Sequence, residues 1–334
     1  MTIAKRDNKL DYLKALAIGL VIWGHILDNC VQGDADYHLR GIICFVHIPL
    51  FLVISGTLVK GKPLNAAFFK NILKRFVLPY TVWTILLTTF YQGTTHLLYD
   101  GLLRNIEVYC SNWTHSFLWF IKAYVIVYLL WSVLYKLSLG FRMLVGSLIL
   151  FLLNIVFISH DILSELLSLS LYSYVFFASG AFLRSYFPRL KKIHLSCILF
   201  LFLIVLPYAT ISNSYFNASF RALYESGNWY IFLVRFVAGL AISIFLINID
   251  ASKYNLHIGG GKNFVLRIGQ RTLQIYMLQS LLVEALLPRL ISIPNTSLGY
   301  AEAAILAVIM TIICFLVIEN TSKIKILRTL LWGM

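Results

Sequence analysis

Charged residues are scarce in this chain of 334 residues: Asp, Glu, Lys and Arg make up 13% of the sequence, whereas hydrophobic residues make up 60%. A soluble globular domain carries about 25% charged residues. A water-soluble fold is excluded because a chain of this size could not bury so much apolar surface, so the excess must face lipid. The composition therefore predicts a membrane protein in contact with membrane lipids.

Two further absences limit the possible functions. The five cysteines form no CxxC or other metal-ligand spacing, which argues against a disulfide framework and favours no metal site. Long polar segments are also missing, so we expect residues 1–334 to form a single membrane-embedded domain. The charged N-terminal stretch leads into an apolar run too long for a cleaved signal peptide, and we expect that first helix to be retained.

Acidic residues are few: 14 Asp and Glu against 28 Lys and Arg, a net charge of +14. The cations lie in short loops between apolar runs, where they set topology and contact lipid headgroups, so we predict no nucleic-acid partner. A helix of about 20 apolar residues spans a bilayer. The runs predict an all-α bundle of about ten transmembrane helices, near 10–30, 41–60, 76–97, 116–136, 143–160, 167–184, 193–212, 228–249, 272–292 and 301–319.

Lys and Arg concentrate in every second loop, while the loops between hold mainly Asp and Glu. The positive-inside rule then predicts that both termini are cytoplasmic in a bacterial inner membrane. Six ionisable side chains fall inside the predicted spans, where charge is expensive and marks function: Lys14, His25, His47, Lys122, Arg235 and Glu284.

Five of these six groups, all except Lys14, are predicted to share one layer about 8–12 Å below the outer surface. Each alone could be a structural lock, but five at one depth favour a polar vestibule. Lys14 and His25 lie about 16 Å apart on nearly the same helix face, which suits a ligand that threads lengthwise. Alternatively, Lys14 snorkels or pairs with Asp11, and His25 is a hydrogen-bonded core residue.

Two N-terminal motifs carry a family resemblance. LDYLKALAIGLVIWGH puts an Asp, a basic residue and a His on the first helix, and CFVHIPLFLVISGTLVK puts an H-x-P-L-F-x-x-x-S-G run on the second. Together they resemble the integral-membrane acyltransferase-3 family, in its branch similar to sugar O-acetylases. The matching residues are Asp11, Lys14, His25, His47, Pro49, Leu50, Phe51, Ser55 and Gly56.

Three later segments resemble the same family: FFKNILKRFVLPY, LWFIKAY and RIGQRTLQIYMLQSLLVE. The matching residues there are Lys70, Lys74, Arg75, Trp119, Thr272, Tyr276 and Glu284. Two positions depart from the pattern, because many members carry Arg where this chain has Lys14 and His where it has Gln279. A mechanism that needs this second His is therefore not available here.

The resemblance implies transfer of an acetyl group from cytoplasmic acetyl-CoA to a hydroxyl of a surface polysaccharide or lipid-linked sugar. It makes His25 the base or acyl carrier, with His47 and Glu284 as catalytic partners. The donor phosphates suit the cations Lys14, Lys70, Lys74 and Arg75, and the acceptor suits Lys122, Arg235 and Trp119. A glycan transporter or flippase and a scaffold for polysaccharide synthesis are the alternatives, and homo-oligomers are possible.

Overall fold

The computed structural model describes residues 8–33, 37–59, 63–99, 118–158, 160–184, 230–249 and 259–334. Within those ranges the chain is helical, and the only β-type pairing is an isolated bridge between Val31 and Ile293. The predicted all-helical class is confirmed for this part of the chain. The helices are α1 (Asn8–Cys30), α2 (Tyr37–Leu58), α3 (Ala66–Ile72), α4 (Leu78–Tyr99), α5 (Trp119–Val133), α6 (Leu139–Val156), α7 (Asp161–Leu183), α8 (Tyr230–Asn248), α9 (Gly259–Gln270), α10 (Thr272–Gln279), α11 (Ser297–Thr321) and α12 (Lys325–Leu330).

Among the described residues, five helices are long and apolar enough to cross a membrane. They lie in α1, α2, α6, α7 and α11, at Asn8–Cys30, Leu39–Leu58, Leu139–Val156, Leu163–Leu183 and Ser297–Thr321. The protein therefore has multi-pass membrane character. The predicted span near 193–212 lies outside the described residues, so the number of ten spans and the cytoplasmic placement of both termini remain predictions.

Two helices contain π-helical segments, and both differ from the predicted boundaries. The third predicted span begins ten residues earlier, at Ala66, because the Asn65 side chain caps the helix by accepting a hydrogen bond from Phe68 N at 2.8 Å. That helix continues into α4 through a π-helical segment, Leu73–Val77. The ninth predicted span is α10 followed by a second π-helical segment, Ser280–Leu286, and a short 3₁₀ turn.

Helices α2 and α7 cross at glycine contacts that leave no room for a side chain. A Cβ atom on Gly56 would lie 1.9 Å from the Phe177 carbonyl oxygen, and one on Gly180 would lie 2.1 Å from that of Val53. The two backbones therefore approach closely, as small residues permit between membrane helices. Gly56 and Gly180 therefore serve the packing of α2 against α7.

The ends of α1 and of the second π-helical segment are joined by a main-chain clamp. Gln32 N donates to Ile293 O at 2.9 Å, and Ile293 N donates to Cys30 O at 2.8 Å. The Gln32 side chain adds a hydrogen bond to Ser292 Oγ at 2.9 Å. The clamp thus joins the end of α1, which carries His25, to the chain that follows the 3₁₀ turn after Glu284.

Candidate active site

A cavity of about 820 Å³ runs through the described helices. Lys14 and His25 both line it, although they lie three helical turns apart on α1, so the cavity follows the helix lengthwise. We call its end at Lys14, Asn71 and Arg75 the basic mouth. Its other end, at His25, His47 and Arg235, is the histidine chamber. The predicted route for a ligand that threads along α1 therefore has space in the structure.

The basic mouth is formed by α1, α3 and the first π-helical segment. Phe68, Asn71 and Arg75 line the cavity at spacings of three and four residues, which places them on one helix face. Lys14 lines it from α1, with its Nζ 3.6 Å from Asp11 Oδ1, so the i,i+3 pair considered from the sequence is present. A cation that remains at a water-filled mouth is suited to anionic groups such as phosphate.

The predicted donor cations are not equally placed. Lys70 and Lys74 are exposed and do not line the cavity, whereas Arg75 does. Lys70 and Lys74 lie four residues apart on another face of this helix, away from Phe68, Asn71 and Arg75. The Arg75 guanidinium lies 5.7 Å from the Phe76 ring centroid and interacts electrostatically with Tyr128.

An aromatic column connects the two ends along α5. Phe120, Tyr124 and Tyr128 are spaced four residues apart, and all line the cavity. Tyr124 stacks on Tyr128 with ring centroids 6.4 Å apart, and Phe120 stacks on Tyr124 at 6.1 Å. At the mouth, Phe68 stacks on Tyr128 at 5.2 Å. The middle of the cavity is therefore an apolar passage, suited to an uncharged chain rather than to an ion.

In the histidine chamber, an imidazole faces a carboxylate. His25 Nε2 lies 3.5 Å from Glu284 Oε1, and the His25 side chain is 32% exposed while that of Glu284 is 9% exposed. Catalytic hydrogen bonds are often this long before substrate binds. With the Nε2 hydrogen directed at the carboxylate, the lone pair of neutral His25 sits on Nδ1. The geometry is that of a base oriented by a buried acid.

His47 presents the opposite nitrogen. Its Nδ1 lies 2.6 Å from the Ile43 carbonyl oxygen, to which only a protonated Nδ1 can donate. The lone pair of neutral His47 is therefore on Nε2. The side chain is buried, lines the cavity and interacts electrostatically with His25. One chamber thus holds two imidazoles whose tautomers are set by different partners.

Two of the three predicted acceptor residues line the cavity, and the third does not. Arg235 and Trp119 line the chamber, and the buried Arg235 guanidinium lies 6.0 Å from the Phe45 ring centroid. Lys122 does not line the cavity, although it interacts electrostatically with Glu165, which does. Of the five groups predicted for one layer, His25, His47 and Arg235 line the cavity, Glu284 contacts His25, and Lys122 interacts only with the cavity-lining Glu165.

Sequence reasoning missed two acids of the chamber. Asp28 and Glu165 both line the cavity, although neither is among the six ionisable groups predicted inside the spans. Asp28 forms an ion pair with Arg40 of α2 and interacts electrostatically with His25. A signal was available, because Asp28 lies three residues after His25 and so on the same face of α1. Glu165 offers no comparable signal, since its position depends on the packing of α7.

The comparisons with known proteins identify the family of this chain. A family model described as an acyltransferase domain, that of the acyltransferase-3 family, matches residues 7–319. The chain belongs to the acyltransferase-3 family. It is therefore an acyltransferase by family and a multi-pass membrane protein by structure, and the family membership expected from the motifs is confirmed.

Two curated relatives are both named nodulation protein NolL. The protein from Sinorhizobium fredii (strain NBRC 101917 / NGR234) is 29% identical over 190 residues, which is 52% of this chain and 48% of that protein. The protein from Mesorhizobium japonicum (strain LMG 29417 / CECT 9101 / MAFF 303099) is 32% identical over 126 residues, 34% of this chain and 33% of that one. The chain spans about half the length of the first relative and a third of the second. No solved structure matches the chain significantly.

Proposed function

We propose that this acyltransferase moves an acetyl group from cytoplasmic acetyl-CoA to a hydroxyl of a surface polysaccharide or lipid-linked sugar in a bacterial inner membrane, with residues 1–334 acting as one domain. The observation that carries the proposal is the single cavity that joins a cationic mouth to a chamber with two histidines. A donor with phosphates at one end and a thioester at the other fits such a cavity in one orientation only.

The donor enters at the basic mouth in this proposal. Lys14 and Arg75 take the phosphates, Arg75 by its planar fork of N–H groups. Asn71, on the same helix face, is placed to recognise the adenine ring, whose N6 and N7 match a carboxamide. The exposed Lys70 and Lys74 add electrostatic attraction from outside the cavity. The uncharged pantetheine arm then lies along the aromatic column.

The thioester reaches His25 in the histidine chamber. His25 takes the proton from the acceptor hydroxyl as its oxygen attacks the thioester carbonyl carbon. The carbon–sulfur bond breaks, and the leaving thiolate of CoA takes the proton back from the imidazolium. Arg235 is the cation available for the developing oxyanion. His47 and Trp119 hold the sugar, His47 through Nε2 and Trp119 through its ring face, and Glu284 orients His25.

The deciding experiment uses purified protein in detergent, acetyl-CoA with a labelled acetyl group, and a cell-envelope glycan extract as acceptor. The expected result is labelled glycan with release of one CoA per acetyl group transferred. Acyl-CoA donors of increasing chain length show whether acetyl is preferred. An absence of both CoA binding and acetyl transfer would overturn the proposal.

A transporter or flippase is the second candidate, because a lengthwise cavity is also what a transported glycan requires. The two candidates differ in what they consume. A flippase moves a fluorescent lipid-linked sugar between the leaflets of a proteoliposome without acetyl-CoA, whereas an acyltransferase modifies the sugar and releases CoA. Flipping that survives His25→Gln would favour the transporter.

A further inference from the structure

Glu284 is surrounded by hydrogen-bond donors that come from its own helix. Gln279 Nε2 lies 2.7 Å from Glu284 Oε1, and Ser280 Oγ lies 3.2 Å from the same oxygen. His25 Nε2, at 3.5 Å, also faces that oxygen. Gln279 and Ser280 are both buried and lie outside the cavity lining. They therefore do not touch a substrate in the cavity, and they can act only through Glu284.

The π-helical segment makes this arrangement possible. In a regular α-helix, residues three and four positions apart face each other, whereas residues five apart do not. A π turn pairs residue i with residue i+5. Across Ser280–Leu286 this geometry brings Gln279 and Ser280, five and four positions before Glu284, to one carboxylate oxygen. The irregular helix thus gives Glu284 two neutral donors and no added charge.

Gln279 and Ser280 both donate hydrogen bonds to Glu284. Hydrogen bonds to a carboxylate stabilise its charge, and a carboxylate can only accept, so it holds the imidazole with the Nε2 hydrogen pointing at it. The other acid near the chamber, Asp28, is paired with Arg40. Tyr91 and Tyr276 also interact electrostatically with Glu284 but bring no positive charge to it. Within the described chain, Gln279 and Ser280 are neutral side-chain donors at hydrogen-bond distance from Glu284.

We infer that Gln279 and Ser280 are positioning residues that hold the Glu284 carboxyl group directed at His25. The inference rests on the proposed function for its kinetic readout. Gln279 also stands where many family members carry His, so this chain replaces an ionisable group by an amide that donates without titrating. The amide carbonyl oxygen, Gln279 Oε1, has no hydrogen-bond partner among the described residues, so retaining it in a buried site costs stability.

The kinetic test compares Gln279→Leu, Gln279→His and Gln279→Glu with wild type. Gln279→Leu should lower kcat about 10- to 100-fold and leave the KM for acetyl-CoA unchanged. That range is typical when a residue that hydrogen-bonds to a functional side chain is removed. Gln279→His keeps an N–H donor. On a logarithmic scale, it should restore at least half of the kcat that Gln279→Leu loses. Gln279→Glu should be the least active, because two adjacent carboxylates must share a proton.

A matched control removes a buried amide elsewhere. Asn154 is buried in α6, donates to Leu150 O at 2.8 Å and accepts from Ser168 at 2.6 Å, away from the cavity. Asn154→Leu should lower thermal stability without changing kcat. A Gln279→Leu variant with wild-type kcat would overturn the inference. So would a loss of kcat that Gln279→His does not restore and that Asn154→Leu shows as well.

A second readout needs no turnover. Diethyl pyrocarbonate modifies unprotonated histidines, and mass spectrometry resolves the modification rate at His25 from that at His47. We expect Gln279→Leu to shift the His25 rate in the same direction as Glu284→Gln, with His47 unchanged. If Glu284→Gln shifts the rate and Gln279→Leu does not, the inference fails whatever the activity. If wild type transfers no acetyl group but the His25 rates follow this pattern, the proposed function fails and the inference stands.

Discussion

The two ends of the cavity use charge in opposite ways. At the basic mouth, Arg75 is exposed, as are Leu73 and Lys74 before it, so a phosphate can reach it without stripping water from a buried charge. In the histidine chamber, His47, Arg235 and Glu284 are largely buried and each has a defined partner. The mouth can select a ligand by charge, whereas the chamber is preorganised for one geometry.

Both ends nevertheless contain a π-helical segment, at Leu73–Val77 and at Ser280–Leu286. In the described chain these are the only two, and each carries a residue proposed for the site, Arg75 or Glu284. A π turn moves side chains off the regular helix faces at a cost in hydrogen-bond geometry, and such turns often mark functional sites. A π-helical segment is therefore found both at the end proposed to select the ligand and at the end where it orients a side chain.

The largest expected effect is an all-or-none difference in labelling between the two ends. In a cysteine-free background, Asn295→Cys lies near the chamber end and Lys325→Cys near the basic end, and both positions are exposed. A membrane-impermeant maleimide added to intact spheroplasts should label only Asn295→Cys, because the positive-inside rule places the basic end in the cytoplasm. Labelling of only Lys325→Cys would reverse the orientation and with it the side from which the donor enters.

His25→Gln should have the next largest effect. Loss of a general base lowers kcat about 10²- to 10⁴-fold, while CoA binding, measured by calorimetry on the detergent-solubilised protein, should be unchanged because the donor phosphates bind at the other end. His160→Gln is the matched control, since His160 is exposed and lies outside the cavity. A His25→Gln variant with substantial acetyl transfer would remove His25 from the mechanism.

Arg75→Ala should act on donor binding alone. A charge-assisted hydrogen bond is worth about 1.5–3 kcal/mol, so we expect the KM for acetyl-CoA to rise about 10- to 100-fold with kcat nearly unchanged. Lys70→Ala and Lys74→Ala should raise it less, because neither side chain lines the cavity. Lys136→Ala, exposed in the loop before α6, is the control. Equal effects of all three basic substitutions would show that the mouth selects by net charge rather than by the placement of Arg75.

Asn71→Ala tests whether the basic mouth recognises the nucleotide of the donor. It should raise the KM for acetyl-CoA several-fold and leave the KM for acetyl-pantetheine, which has no adenine, unchanged. The two donors share the thioester and differ in the nucleotide, so a kinetic comparison of wild type and variant isolates the contact. Equal changes with both donors would mean that Asn71 does not contact the nucleotide.

Trp119→Ala should have the smallest effect, and that effect should be on the acceptor bound at the chamber end. Aromatic contacts contribute about 0.5–1.5 kcal/mol beyond area burial, so the KM for the glycan acceptor should rise roughly 2- to 10-fold while the KM for acetyl-CoA stays constant. Phe141→Ala is the control, because Phe141 is 63% exposed on α6 and lies outside the cavity. A change in donor KM alone would place Trp119 on the donor path.

The membrane character, helical class and family were available from the amino-acid sequence. Apolar run length and low charge are properties of the chain itself, and they require helices in lipid because each helix satisfies its own backbone hydrogen bonds. The spacing of Lys14 and His25 on one helix also predicted a lengthwise site, since a helical repeat is local. Composition, motifs and regular helix geometry were enough for these predictions, because none of them depends on how the helices pack.

Tertiary structure alone decided which of the charged residues share one cavity. Arg75 lines it and Lys74 does not, because the packing of the helices turns the face of Phe68, Asn71 and Arg75 toward the cavity. Asp28 and Glu165 join the chamber because of how α1 and α7 pack. The contact of Gln279 with Glu284 depends on a π turn. Such turns depend on packing between helices that are distant in sequence, so the sequence determines which groups exist and the fold determines which of them meet.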